Sequence, residues 1–137
     1  MSMSDYLEKK VMDHVFGKTA YTAPANLFVA LFTVAPSDAG GGTEATGGGY
    51  ARVSTAPAGW SAATGVDATV TNTATISFPT ATTGGYSAGA NLVGFALYDA
   101  ATAGNLMFYG TLGVAKGVAE GDTPEFAASS LSFKFNG

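Results

Sequence analysis

The sequence predicts an all-β protein, an antiparallel β-sandwich or jelly-roll-like domain with one amphipathic α-helix near its N-terminus. Three observations point there. From Thr69 to Phe78 the residues alternate, with Val70, Asn72, Ala74, Ile76 and Phe78 on one face and Thr69, Thr71, Thr73, Thr75 and Ser77 on the other. A period of two marks a half-buried strand. Turn residues, above all 19 glycines, separate several such runs. Helical spacing, by contrast, is clear only in the first segment.

That segment starts the chain. Asp5 is the expected cap, with Glu8 three residues on as in a capping box, and Ser4 competes for the position. Leu7, Val11 and Val15 recur every four residues, and Met12 and Phe16 widen the apolar face. Gly17 is a natural stop. The helix should span residues 5 to 16 and pack on its own sandwich or on a neighbouring subunit.

Leu27 to Val34 is apolar on both faces, as in a strand buried on both sides or lying under the helix. Two glycine triplets follow, Gly40–Gly42 and Gly47–Gly49, and read as mobile surface loop. A strand resumes at Tyr50 to Thr55. Leu92 to Asp99 and Leu106 to Leu112 should form a hairpin through Ala100 to Asn105, with Gly104 placed for a tight turn. Gly121 and Asp122 mark the next turn. Phe126 is out of parity with Leu131, Phe133 and Phe135, which suggests a bulge near Ala128. The total is six or seven strands. The expected division is a helical arm at residues 1–20 and a single β-sandwich domain at residues 21–137. The last strand is expected to run nearly to Gly137, with no linker to a second module.

Composition restricts the function. With 137 residues and 47% hydrophobic content, one domain can bury a core, whereas two halves could not. Charged residues are only 12% and the net charge is -4, so nucleic acid and anionic membrane are not expected partners. The absence of cysteine rules out disulfides and thiolate metal sites. The start, MSMSDYLEKK, does not resemble a signal peptide, and no apolar run is long enough to cross a bilayer. The protein is expected to be made and kept in a cytoplasm until released.

The search for chemistry yields no catalytic residue, metal site or cofactor. A Ser-His-Asp triad would need His14, the single histidine, which reads as a partly buried packing residue of the helix. Gly17-Lys18-Thr19 resembles the end of a phosphate-binding loop. However, Met12 stands where the first glycine belongs, and the motif ends a helix instead of opening one. Asp67, Asp99 and Asp122 sit beside turns, where aspartate bonds backbone. Trp60 is either an interface anchor or a core plug. The residues expected to form an interface are Leu7, Val11, Val15, Phe16, Tyr50 and Trp60.

Several segments together resemble short phage proteins often catalogued as phage tail fibre proteins. They are SDYLEKKVMDHVFG at 4–17, LFVALFT at 27–33, GGGYARV at 47–53, ISFP at 76–79, VGFALYDAATAGNLMFYGTL at 93–112 and GD at 121–122. The resemblance covers essentially the whole chain and implies a virion protein without catalytic residues. A long repetitive shaft and coiled-coil heptads are missing, and in size and compactness the chain is similar to capsid cement or decoration proteins. The leading expectation is therefore a cement protein that bridges capsid subunits, with a short tail fibre or tail adaptor as the alternative. Expected partners are further copies of the chain, as a homotrimer, and the major capsid protein or tail proteins.

Overall fold

In the computed structural model, which describes residues 2–135, a two-residue strand β1 (Ser2–Met3) leads directly into helix α1 (Asp5–Val15). Ser4, not Asp5, is the cap. Its Oγ accepts from the Leu7 N–H at 3.2 Å and donates to the Leu106 carbonyl, so one buried serine both caps the helix and ties it to the sheet. Asp5 becomes the first helical residue, where a carboxylate suits the positive end of the helix dipole. The helix ends as predicted. At Gly17, φ is 70° and the N–H bonds the His14 carbonyl, while the Lys18 N–H bonds that of Asp13. These two bonds are a Schellman motif.

The remaining strands are β2 (Leu27–Val34), β3 (Thr43–Glu44), β4 (Val53–Thr55), β5 (Val70–Thr71), β6 (Ile76–Ser77), β7 (Asn91–Tyr98), β8 (Leu106–Gly117), β9 (Glu125–Phe126) and β10 (Ser132–Phe133). The main antiparallel sheet has the order β1-β8-β7-β2-β3, with β4 also pairing β2. Two short antiparallel ribbons, β6–β9 and β5–β10, form the second layer. The architecture is the expected antiparallel sandwich with one N-terminal helix, but the described residues form ten strands, seven of them only two or three residues long, instead of six or seven.

The core lies between the layers. Val29, Leu31, Leu92, Phe95, Leu97 and Met107 come from the sheet, and Ile76, Phe78, Leu131 and Phe133 from the opposite side. Strand β2 is buried on both faces, as its unbroken apolar run predicts. Ala30 and Phe32 join Ala96 and Leu106 in a second cluster on the other side of the sheet. The segment after β2 lies along that side. A Cβ placed on Gly94 would come within 3.1 Å of the Ala35 Cβ, and Asp38 bonds Tyr109 through its carboxylate and the Asp5 N–H through its carbonyl.

Four local expectations are corrected. The strand expected from Thr69 to Phe78 breaks after Thr71. Asn72 does point inward and still bridges Trp60, but Ala74 is exposed and regular strand resumes only at Ile76. The bulge expected near Ala128 is a turn in which the Ser130 N–H bonds the Ala127 carbonyl and Ser129 has a φ of 65°. The parity break itself is real. Between the two ribbon pairings the four residues 72–75 face the five residues 127–131. The predicted hairpin forms between β7 and β8, and Asp99 closes its turn by accepting from the Asn105 N–H at 2.7 Å. β8 runs on to Gly117, five residues past the expected end. The final strand stops at Phe133, and the part of that expectation reaching Asn136 and Gly137 lies outside the described residues.

Candidate interaction surfaces and a buried polar clamp

The most elaborate polar arrangement centres on Arg52, a residue that the sequence reading did not single out. Its guanidinium forms a bidentate pair with Glu44, Nε to Oε2 at 2.9 Å and Nη2 to Oε1 at 2.8 Å. Nη1 donates to the carbonyls of Ala100 (2.9 Å) and Ala103 (2.8 Å) in the β7–β8 turn. The guanidinium also lies 3.8 Å from the centre of the Tyr98 ring. Only 7% of the Arg52 side chain is exposed. The Tyr50 hydroxyl donates to Glu44 at 2.7 Å and accepts from the Leu31 N–H at 3.1 Å.

Electrostatics follow from this geometry. Burial pushes the Glu44 carboxyl up, but the hydrogen bonds from Arg52 and Tyr50 outweigh it and hold the group below the usual carboxylate value. Burial and the bond to Glu44 push the Tyr50 hydroxyl far above its ordinary value. Glu44 therefore stays ionised and Tyr50 protonated. Every polar group of the cluster is used in fixing β3, the segment before β4 and the hairpin turn to one another. Such an arrangement is a clamp: it offers neither a nucleophile nor a poised proton donor.

The GGGYARV segment has a backbone reason. Gly48 has a φ of 60°, and a Cβ there would lie 2.3 Å from the Gly85 carbonyl oxygen. The Gly48 carbonyl also accepts from the Thr82 N–H. Gly47–Gly49 was expected to be mobile loop but is a turn packed against a second turn, because only glycine allows that approach.

The six expected interface residues fall into two groups. Leu7 is buried in the core, and Val11, Tyr50 and Trp60 pack against it half-buried. Tyr50 sits edge-on to Tyr86 at 5.3 Å. Trp60 sits edge-on to Phe133 at 5.5 Å, with its indole N–H donating to Thr55 Oγ1 at 2.8 Å. Val15 and Phe16 are exposed, at 68% and 67%, beside Met12 at 56%. His14 is exposed rather than partly buried. Its Nδ1 accepts from the Tyr21 N–H at 3.0 Å and so fixes the chain leaving the helix.

Two of the surface clefts are walled by residues of the core or packed against it. One, of about 400 Å³, is almost wholly apolar and lies at the end of the sandwich where β8 starts, with Trp60, Leu97, Phe108 and Phe135 in its wall. The other, of about 570 Å³, lies at the opposite end of the same strand. Core residues Leu31, Phe78, Leu92 and Phe126 line it together with Val114, Lys116, Asp122 and Glu125. Among the described residues no three His, Asp or Glu side chains gather as a metal site, and no helix is long and apolar enough to cross a membrane.

A search of curated proteins finds no match for this chain. The family described as podophage GP4 fiber I protein gp80 matches residues 2–134, nearly the whole of the fold just described, and the chain belongs to that family of phage fibre proteins.

Proposed function

We propose that the chain is a non-enzymatic structural component of a phage tail fibre, working through protein–protein contact. The observation that carries this reading is the match of a fibre family across residues 2–134. The Arg52 clamp supports it, because the most conspicuous buried ion pair is saturated by structural bonds. Partners are further copies of the chain and other tail proteins. The trimer expected from the sequence belongs to this proposal, as do contacts through the exposed end of α1.

The reading that came first from the sequence, a capsid cement protein, keeps one supporting observation. The described residues fold into a short sandwich with no elongated shaft. Separating heads from tails and measuring the chain in each by mass spectrometry decides between the two. The fibre reading expects it in the tail fraction, with immunogold label on the fibres. Recovery with tail-free heads overturns the fibre reading and supports cement.

A further inference from the structure

A further cleft, of about 360 Å³, opens between α1 and the β7–β8 turn. Four separate segments build it: Tyr6 from α1, the stretch 21–26 between α1 and β2, Phe28 from β2, and Asp99 from the β7–β8 turn. Its volume lies at the small end of the range of ligand sites, about 300–1,000 Å³. Phe28 has no role in the core. It points to the face of β2 opposite Leu27 and Val29. The residue is half-buried, yet it belongs to neither core cluster. Its ring instead lines the cleft together with those of Tyr6 and Tyr21.

The polar lining both gives and takes hydrogen bonds. Thr22 and Asn26 are exposed and carry a hydroxyl and an amide, each a donor and an acceptor. Asp99 accepts only. Asn105 holds it in place, its N–H and Nδ2 donating to the two carboxylate oxygens at 2.7 and 2.8 Å, and each oxygen keeps capacity for a ligand. Burial raises the Tyr21 hydroxyl above its ordinary value, and Tyr6 and Asp99 add to the rise, so these groups stand close to one another. Tyr21 is fixed before any ligand arrives, because its N–H bonds His14 and its hydroxyl contacts the Met107 sulfur.

This lining favours one chemistry. An anion is repelled, since the charged side chain in the wall, Asp99, is a carboxylate. An acyl chain would strip water from Thr22, Asn26 and Asp99 and return no hydrogen bond. A cation would suit the rings and Asp99, but it uses acceptors alone, and Lys10 already lies 5.5 Å from the centre of the Tyr6 ring. A sugar ring has C–H faces that pack on aromatic rings and hydroxyls that both donate and accept, and the wall supplies partners for both. Cleavage is not expected. Glycoside hydrolysis takes a pair of carboxylates, and this wall holds Asp99 alone.

We propose that this cleft binds a neutral saccharide, with a sugar ring packed on Phe28 and its hydroxyls bonded to Thr22, Asn26 and Asp99. Such a site adds a binding activity to the structural role argued above and does not rest on it.

The test uses the full chain with Phe28→Ala and Asn26→Ala. Phe28 lies outside both core clusters and Asn26 is exposed, so both variants should fold, which circular dichroism checks. The wild type is first applied to a printed array of neutral and charged oligosaccharides. The neutral one retained best is then titrated into isotope-labelled protein and followed by NMR, with tetramethylammonium chloride in parallel as a cation probe. The amides of Thr22, Asn26, Phe28 and Asp99 should shift with the saccharide. Affinity should fall about tenfold in Phe28→Ala and about fivefold in Asn26→Ala. The proposal is overturned if no neutral saccharide is retained, if the shifts centre elsewhere, or if either variant binds like the wild type. Tetramethylammonium moving the same amides at lower concentration would also overturn it, in favour of a cation site. The readout is made on the isolated chain, so its failure leaves the tail-fraction measurement untouched, and recovery with tail-free heads would count against the fibre role alone.

Discussion

The side chain with the most to lose is Arg52. A guanidinium that makes four hydrogen bonds and stacks on an aromatic ring has exchanged nearly all its water for protein. Removing it leaves Glu44 with only Tyr50 as a donor and two turn carbonyls without theirs. Breaking a buried pair in this way costs about 3–5 kcal/mol. Glu44 keeps some exposure, which places Arg52→Ala towards the lower end of that range. Arg52→Lys should recover only part, because an ammonium cannot make the bidentate pair and reach the turn carbonyls as well. The penalty should also depend on pH. Glu44 has a folded value below its unfolded one, so its contribution is complete above the ordinary glutamate value and is lost as pH falls through the folded value. Urea unfolding of wild type and Arg52→Ala should therefore show a gap that narrows as the pH drops below about 4. A gap unchanged with pH would mean that Glu44 does not carry the interaction. None of this was legible in the sequence. Arg52 and Glu44 are close in the chain, but the turn they hold lies some fifty residues further on, and no local pattern links them.

At the scale of elements, what local physics decides was readable. The stop at Gly17, the doubly buried β2 and the β7–β8 hairpin follow from periodicity and turn chemistry within a few residues. The start of α1 was nearly readable: Ser4 and Asp5 are both good caps, and the choice fell to the Leu106 carbonyl, a hundred residues away. The strand broken at Asn72 shows the limit. Its alternation is perfect, but an asparagine in the inward register cannot remain in a dry core without partners. It is fully buried, its Oδ1 accepts from the Leu131 N–H at 3.0 Å, and its Nδ2 donates to Ala74 and Ala127. The side chain thus replaces ladder bonds and holds the turn at 127–130. Asn72→Ala strands the buried Leu131 N–H, while Ala74 and Ala127 are exposed and their carbonyls can turn to water. The expected loss is therefore that of one buried donor, about 1–3 kcal/mol. Thermal melts should show it, with amide exchange of Ser129 and Leu131 accelerated more than that of Phe95. An equal acceleration at all three would indicate a general destabilisation instead of a released turn.

The whole molecule is asymmetric in how its layers are held. The main sheet has long ladders, β2 with β7 and β7 with β8, whereas the facing layer consists of strands of two residues each. So few backbone pairs cannot keep the ribbons in place, and packing must do so. Phe95 is the link. It meets Phe126 of the β6–β9 ribbon at 5.9 Å and Phe133 of the β5–β10 ribbon at 6.2 Å, both edge-to-face. Phe126 continues to Phe78 at 6.1 Å, and Phe133 to Phe108 at 5.3 Å and Trp60. Trp60 accordingly contributes to the core even though it sits in a loop of the sequence. Phe95→Ala would remove the ring that joins both ribbons to the sheet and open a cavity between the layers, at about 3–5 kcal/mol. Its effect should be uneven. Native-state hydrogen exchange should show residues 70–78 and 125–133 opening well before the central residues of β2 and β7, since both ribbons lose the ring they share, with Phe108 still touching Phe133, while the ladders stay intact. The wild type should show the same order with a smaller separation. If sheet and ribbons open together in both proteins, the layers form one cooperative unit and this account of the asymmetry is wrong.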